Sequence, residues 1–161
     1  MDVAAILKPR SVRTGVEAGS KKAALEVVSE MLADAVAGPS AAEVLDGLAS
    51  RERLGCTSVG GGAAIPHARL AGLDEGAAAF LKLAEPVDFD APDGVAVDLL
   101  LGVLLPEEPE TTDAEEIAVI ARGLQDPKLQ AELRASDDPD ALRQLLIERL
   151  APGARNGTHG G

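Results

Sequence analysis

An apolar run near the middle of the chain constrains the fold most. It reads VAVDLLLGVLL, residues 95–105, and it is bounded by Asp93-Gly94 on one side and Pro106 on the other. A short, almost continuously apolar run between turn residues is typical of a β-strand that is buried on both faces. Since both faces must be covered, we expect this strand at the centre of a sheet with helices packed against it.

Helices are predicted before this strand. Ser20 precedes an apolar helical period over Lys21–Ala37, and serine is a favoured N-cap residue. Ser40 and Glu43 have the spacing of a capping box, which predicts a second helix over Ala41–Arg53. Both helices would lie on the N-terminal side of the predicted central strand.

Further elements follow in the second half of the chain. Ala77–Leu83 is predicted to be a strand that Pro86 ends, and helical spacing returns over Glu115–Leu124. The pairs Asp126-Pro127 and Asp138-Pro139 each place a cap residue before a proline, which predicts two more helices. This order predicts an α/β fold, with one layered domain over residues 1–150 and a mixed β-sheet flanked by helices. The glycine-rich residues 151–161 are expected to form a flexible tail.

The amino-acid composition disfavours nucleic acid as a partner and indicates the cellular compartment. The 161 residues carry 15 Lys and Arg against 27 Asp and Glu, and a net charge of -12 opposes binding to nucleic acid. With no Trp, no Tyr and two Phe, the chain lacks aromatic platforms for stacking bases. A single cysteine fits a reducing compartment, and no segment approaches a membrane span. We therefore expect a cytoplasmic protein without membrane insertion.

The chain's most informative residue for function is His67. Pro66 stiffens the backbone before it, and Arg51 and Arg69 lie nearby in sequence, where guanidinium groups suit phosphate oxygens. Three consecutive glycines would let main-chain N–H groups approach the ring: Gly60, Gly61 and Gly62. A neutral imidazole is nucleophilic without an added base. Together these residues indicate a phosphoryl acceptor.

Alternatives to a phosphoryl acceptor at His67 are a structural side chain, a metal ligand and a hydrolase residue. A lone histidine near apolar residues is about as often a structural side chain. A metal site is disfavoured because the second histidine, His159, lies in the tail and Cys56 has no partner cysteine. A Cys56–His67 hydrolase is disfavoured because a lone cysteine is more often a small buried apolar residue. Since no nucleotide-binding glycine motif is present either, we expect no metal and no cofactor.

The segment RERLGCTSVGGGAAIPHARL, residues 51–70, resembles the active-site segment of a known family. These are the enzyme IIA proteins of the bacterial phosphotransferase system, in the branch shared by fructose, mannitol and nitrogen-regulatory members. GSKKAALEVVSEML is similar to their first helix, and VDFDAPDGVAVDLLLGVLLP to their strand hairpin and central strand, so the resemblance covers residues 1–148. A chain with no attached sugar-specific IIB domain and no membrane domain most resembles the nitrogen-regulatory type.

The resemblance implies a mixed-sheet α/β fold and a phosphoryl-transfer component rather than a stand-alone enzyme. His67 would accept the phosphoryl group from the histidine phosphocarrier protein, and Arg51 would steady it. Thr57 falls at a motif position and joins the three glycines and Arg69 as a phosphoryl-binding candidate. Further partners would be a separate IIB domain or a regulatory target protein.

One position departs from the family pattern. Family members usually carry a second active-site histidine at the start of the helix after the acidic loop, and this chain has Asp113 there. Alternatively Asp113 is simply a helix N-cap, for which aspartate is a favoured residue. Two function classes therefore stay open. The protein is either a phosphocarrier and regulatory switch, or a protein-binding regulatory module that keeps the fold without being phosphorylated.

Overall fold

The computed structural model of the chain describes residues 2–107 and 113–151, with Asp113 and Ala114 described as backbone only. Within these ranges the helices are α1 (Val3–Ile6), α2 (Lys21–Ala35), α3 (Ala41–Leu54), α4 (Asp113–Leu124), α5 (Pro127–Ala135) and α6 (Pro139–Arg149). The strands are β1 (Leu7–Val16), β2 (Ser58–Gly60), β3 (Ala63–Ala64), β4 (His67–Leu70), β5 (Ala77–Val87) and β6 (Val97–Pro106). The predicted tail, apart from its first residue, lies outside the described residues.

The described strands form one mixed sheet centred on β6. The order is β1-β5-β6-β3-β2, and β4 also pairs with β6. Strand β5 is antiparallel to β6, whereas β3 and β4 are both parallel to it and follow one another along its other edge. The predicted central strand and the predicted α/β class with a mixed sheet are therefore confirmed.

Each face of the sheet buries its own apolar cluster. On one face α2 and α3 contribute Val28 and Leu48 and pack over Leu100 of β6. On the other face α4, α5 and α6 contribute residues such as Leu124, and Leu101 of β6 packs among them. Successive residues of a strand point to opposite faces, so the apolar run of β6 supplies both clusters. Burying each such leucine contributes about 1.5–3 kcal/mol.

The helix termini follow the local capping signals. Ser20 accepts a hydrogen bond from the amide of Ala23, and the predicted capping box between Ser40 and Glu43 is present. Asp126 and Asp138 each cap a helix that begins with proline. Three helix ends differ slightly from the predicted ranges: α2 stops at Ala35, α3 continues to Leu54 and α4 begins at Asp113. Among the described residues, no helix is both long and apolar enough to cross a membrane.

The prediction that Pro86 ends the strand beginning at Ala77 was wrong. Strand β5 continues to Val87, although its register with β6 is irregular between Lys82 and Val87. Its last paired residue toward β1 is Leu83, so Pro86 lies beyond that neighbour and is exposed. A proline, which has no N–H to donate, is tolerated at such an irregular edge position.

We expect Gly102→Ala to destabilise the protein, because Gly102 of β6 lies directly beneath α2. A Cβ there would collide with Val28 Cγ1 and lie 3.2 Å from Leu32 Cδ1, so α2 would have to move. The expected decrease in the free energy of unfolding is about 1–3 kcal/mol, measured by urea denaturation. Gly19→Ala is the matched control, since a Cβ at Gly19 meets no atom within 4 Å. Equal stability of the two variants would contradict this packing.

Candidate functional site

His67 lies at the start of β4 and borders a cleft of about 670 Å³. Four elements supply residues to its walls, among them β6 with Leu105. Arg51 and Leu54 come from α3, Arg69 comes from β4, and Ile117 comes from α4. The structure therefore brings three of the predicted site residues, Arg51, His67 and Arg69, to one cleft.

The backbone around His67 determines which ring nitrogen carries the proton. Nδ1 of His67 lies 2.8 Å from the carbonyl oxygen of Ile65. Because a carbonyl oxygen can only accept a hydrogen bond, Nδ1 is the protonated nitrogen and donates to it. The lone pair of the neutral ring therefore resides on Nε2, which is the nitrogen able to act as a nucleophile.

The two residues before His67 are themselves fixed to the sheet. The amide of Ile65 donates to the carbonyl of Thr57 at 3.0 Å, and the carbonyl of Pro66 accepts from the amide of Val103 at 3.0 Å. Ile65 and Pro66 are both buried. The proline also restricts its own φ and the conformation of Ile65, so the carbonyl that holds Nδ1 has little freedom.

The electrostatic surroundings favour an uncharged ring. Burial lowers the pKa of His67 below its ordinary value of 6.5, and it is the largest influence. The hydrogen bond to Ile65 opposes this change in the pKa. The charges of Arg51 and Arg69 lower the pKa further, whereas the charge of Glu52 raises it. At neutral pH the ring is therefore mostly unprotonated at Nε2.

Arg51 is held in the last turn of α3 at the wall of the cleft. Its guanidinium donates to the carbonyl of Gly55 at 2.9 Å, immediately after the helix ends. Arg69 is two residues beyond His67 in β4, and side chains two apart in a strand project from the same face. Both arginines line the same cleft as His67, where guanidinium groups can bind the oxygens of a phosphoryl group.

The three consecutive glycines lie away from His67. The carbonyl of Gly62 accepts from the amides of Asp98 and Leu99, whereas His67 is opposite Val103 in the same strand. Four to five residues along a strand correspond to about 13–17 Å. Gly60, Gly61 and Gly62 do not line the cleft, so their predicted phosphoryl-binding role does not fit this geometry.

These glycines instead form a turn that is docked on α5. Gln130 donates to the carbonyl of Gly60 at 3.0 Å, and Arg134 donates to that of Gly61 at 2.7 Å. The amide of Gly61 donates to the carboxylate of Asp93 at 2.9 Å. A Cβ on Gly61 would collide with Gln130, so the lack of a side chain permits this close approach.

Thr57 is buried and does not line the cleft. Its hydroxyl and its amide both donate to the carboxylate of Glu52, the second of these at 3.3 Å. A direct contact between Thr57 and a phosphoryl group does not fit this position. Sequence reasoning did not select Glu52 as a site residue, although the acidic residue next to Arg51 was visible in the motif.

Leu54 was also missed by sequence reasoning. It is 84% exposed, which is unusual for a leucine, and it borders the cleft at the end of α3. Its sequence signal is an isolated apolar residue after the polar stretch SRER, where it breaks the polar face of the helix.

Two further predicted residues have separate positions. Cys56 donates through Sγ to the carbonyl of Phe89 at 3.2 Å and accepts from the amide of Ser58 at 3.4 Å. Neither contact involves His67. Asp113 is the first residue of α4, four residues ahead of Ile117 at the cleft. Its side chain lies outside the described residues, so both interpretations of Asp113 remain predictions.

Comparisons with known proteins agree with this fold. The family model described as "Phosphoenolpyruvate-dependent sugar phosphotransferase system, EIIA 2" matches residues 5–149. A nitrogen regulatory protein of Pseudomonas aeruginosa is 38% identical over 143 residues, which cover 89% of this chain and 93% of that protein. The predicted resemblance to enzyme IIA proteins, with the nitrogen-regulatory type favoured, is confirmed.

Solved structures extend the comparison to three dimensions. The nitrogen regulatory protein IIA-Ntr from Neisseria meningitidis has a TM-score of 0.84 at 33% identity, and the match covers 89% of this chain and 98% of that chain. IIA mannitol from Escherichia coli has a TM-score of 0.70 at 20% identity, covering 86% and 97% of the two chains, and shares the fold. The chain therefore belongs to the EIIA 2 family of the phosphoenolpyruvate-dependent sugar phosphotransferase system.

Proposed function

We propose that this protein is a histidine phosphocarrier and regulatory protein that accepts a phosphoryl group on His67 from the phosphotransferase system's histidine phosphocarrier protein. The hydrogen bond from Nδ1 to the carbonyl of Ile65 carries this proposal, because it leaves the Nε2 lone pair available in a cleft with two arginines. Membership of the EIIA 2 family supports it independently. A protein that receives its phosphoryl group from the histidine phosphocarrier protein would act in the cytoplasm, where we propose that this protein is located.

The transfer would proceed in one displacement. Nε2 of His67 bonds to the phosphorus of the donor's phosphohistidine, and the phosphorus–nitrogen bond of the donor breaks, with its electron pair returning to the donor's ring. Positive charge develops on the ring of His67 as Nε2 forms its new bond. The carbonyl of Ile65, which accepts from Nδ1, stabilises that charge.

The two arginines would act on the phosphoryl oxygens. The transferred group spreads its charge over three oxygens, and guanidinium groups stabilise that charge by paired hydrogen bonds. Arg51 is anchored to Gly55 by its own hydrogen bond, so one of the two cations is already oriented before a donor arrives. Arg69 would complete the pair from β4.

The regulatory consequence would follow from the added charge. A phosphoryl group on His67 adds close to two negative charges to a cleft flanked by arginines. Leu54, 84% exposed beside this cleft, would supply an apolar contact for a partner whose binding depends on the state of His67. Such a partner would be a separate IIB domain or a regulatory target protein.

A second candidate function is a protein-binding module that keeps the fold without being phosphorylated. The resemblance to enzyme IIA proteins implies a second histidine at the position of Asp113, and the aspartate found there favours this alternative. A neutral histidine can donate to a phosphoryl oxygen, whereas a carboxylate can only accept. The two functions differ in one measurable property, namely whether His67 takes up a phosphoryl group.

We expect labelled phosphoenolpyruvate, with enzyme I and the histidine phosphocarrier protein, to place acid-labile label on the wild-type protein. His67→Ala should abolish the label because it removes the nucleophilic nitrogen. His159→Ala is the matched control, and it should leave labelling intact. Label that survives His67→Ala would remove His67 from the reaction, and an unlabelled wild-type protein would favour the binding module.

We expect NMR titration of the ring protons to give His67 a pKa below 6.5, because burial disfavours the charged ring. Arg51→Gln should raise that pKa, since it removes a positive charge that lowers it. Arg10→Gln is the matched control, because β1 is separated from β4 by β5 and β6. A pKa that falls in Arg51→Gln would contradict the proposed electrostatic role of Arg51.

We expect Asp113→His to increase the equilibrium level of phosphorylated protein, and Asp113→Asn to increase it less. A carboxylate facing a phosphoryl group at about 5 Å, with an effective dielectric near 20, is repelled by roughly 3 kcal/mol for each unit of like charge, and the prediction holds for Asp113 if it faces His67 in this way. That repulsion is larger than the net stabilisation by one ordinary hydrogen bond. Quantitative acid-labile labelling measures the level. A decrease in both variants would show that the aspartate supports the transfer instead.

A further inference from the structure

We infer that Glu52 is a positioning residue, whose carboxylate holds His67 in its Nδ1–H tautomer through the backbone of Thr57 and Ile65. The inference deepens the proposed function and rests on it for its catalytic meaning. Glu52 does not line the His67 cleft. Its effect on the ring must therefore pass through other groups or through its charge.

The Glu52 carboxylate is buried and has several partners. Its side chain is 5% exposed, and the ammonium group of Lys21 lies 3.0 Å from Oε1. Both the hydroxyl and the amide of Thr57 donate to its two oxygens. A buried carboxylate is stable only where it is paired and hydrogen-bonded, and here the pairing also fixes Thr57.

Two further hydrogen bonds connect Thr57 to the imidazole ring of His67. The carbonyl of Thr57 accepts from the amide of Ile65 at 3.0 Å. The carbonyl of Ile65 accepts from Nδ1 of His67 at 2.8 Å. Glu52, Thr57, Ile65 and His67 therefore form one series of contacts, in which the last carbonyl decides the tautomer.

Lys21 fixes Glu52 from the neighbouring helix. Besides the ion pair, its ammonium group donates to the carbonyl of Phe89 at 3.3 Å and lies 4.5 Å from the centre of the Phe89 ring. Lys21 is the first residue of α2, which packs against α3. The carboxylate is thus held between two helices rather than on a mobile side chain.

Adjacent residues at the end of α3 face two different cavities. Arg51 borders the His67 cleft, whereas Glu52 borders a second cavity of about 720 Å³ together with Lys21. The Glu52 contacts tie this last turn of α3 to Lys21 and Thr57, and the same turn carries Arg51. The charge of Glu52 additionally raises the pKa of His67, opposing both arginines.

The tautomer can be measured without any phosphoryl transfer. At a pH where the ring is neutral, the ¹⁵N chemical shifts of His67 distinguish Nδ1–H from Nε2–H. We expect the wild-type protein to show Nδ1–H. Glu52→Ala should change the ring to a mixture with Nε2–H, whereas Glu52→Gln, which keeps an oxygen for Thr57, should retain Nδ1–H. Glu43→Ala is the matched control, because it removes the capping box of α3 without touching Thr57.

A second pair of variants tests the same contact from its other side. Thr57→Val removes the hydroxyl that donates to Glu52, and Thr57→Ser restores one. We expect the valine variant to lose part of the Nδ1–H tautomer and the serine variant to keep it. This pair decides the question if Glu52→Ala does not fold. An unchanged tautomer in Thr57→Val, or in folded Glu52→Ala, would overturn the inference.

The rate of phosphoryl transfer gives the functional readout. A misplaced nucleophile costs up to about a hundredfold in rate, so we expect Glu52→Ala to slow labelling of His67 by roughly tenfold or more. Glu52→Gln should stay within about threefold of the wild type, because the positioning oxygen remains. If the wild-type protein takes no label but the tautomer responds as expected, the proposed function fails and the positioning role of Glu52 stands.

Discussion

The architecture depends on the burial of β6 on both faces and its pairing along both edges. Its alternate residues enter two separate apolar clusters, so removing this strand would leave both helical layers without a surface to cover. Strands β3 and β4 share one edge of β6, and the register of His67 opposite Val103 follows from that pairing. The position of His67 along β6 is thus a consequence of how the hydrophobic core pairs these strands.

The site combines this rigid support with opposed charges. Although the chain carries a net charge of -12, two arginines flank the cleft beside His67. The buried carboxylate of Glu52 on α3 has the opposite charge to the arginines. It raises the pKa of His67, whereas Arg51 lowers it. Burial has the largest effect, which leaves a neutral ring whose proton is held by Ile65. In the proposed function, this combination suits a histidine that accepts a phosphoryl group and later gives it up.

Local interactions explain which elements were predictable. The helix starts after Ser20 and Ser40 agree with the prediction, because a cap acts within a single turn. Strand β1 was not predicted. Its sequence, LKPRSVRTGV, is largely polar and contains a proline, and it becomes a strand only through parallel pairing with β5. Strand propensity depends strongly on such tertiary context, and so does the continuation of β5 past Pro86.

The sequence by itself determined the fold class, the central strand and the identity of His67 as the candidate nucleophile, because apolar periodicity and a compact motif are local properties. Tertiary structure alone decided which neighbours reach the ring. Gly62 is only five residues from His67, yet an extended segment carries it far along β6. Conversely, Glu52 and Ile65 are distant in sequence but are joined through Thr57, because hydrogen-bonded pairing of β2 and β3 folds the chain back on itself. Proximity in sequence therefore suggests neighbours that the folded chain separates, and the pairing of strands decides which contacts orient the histidine.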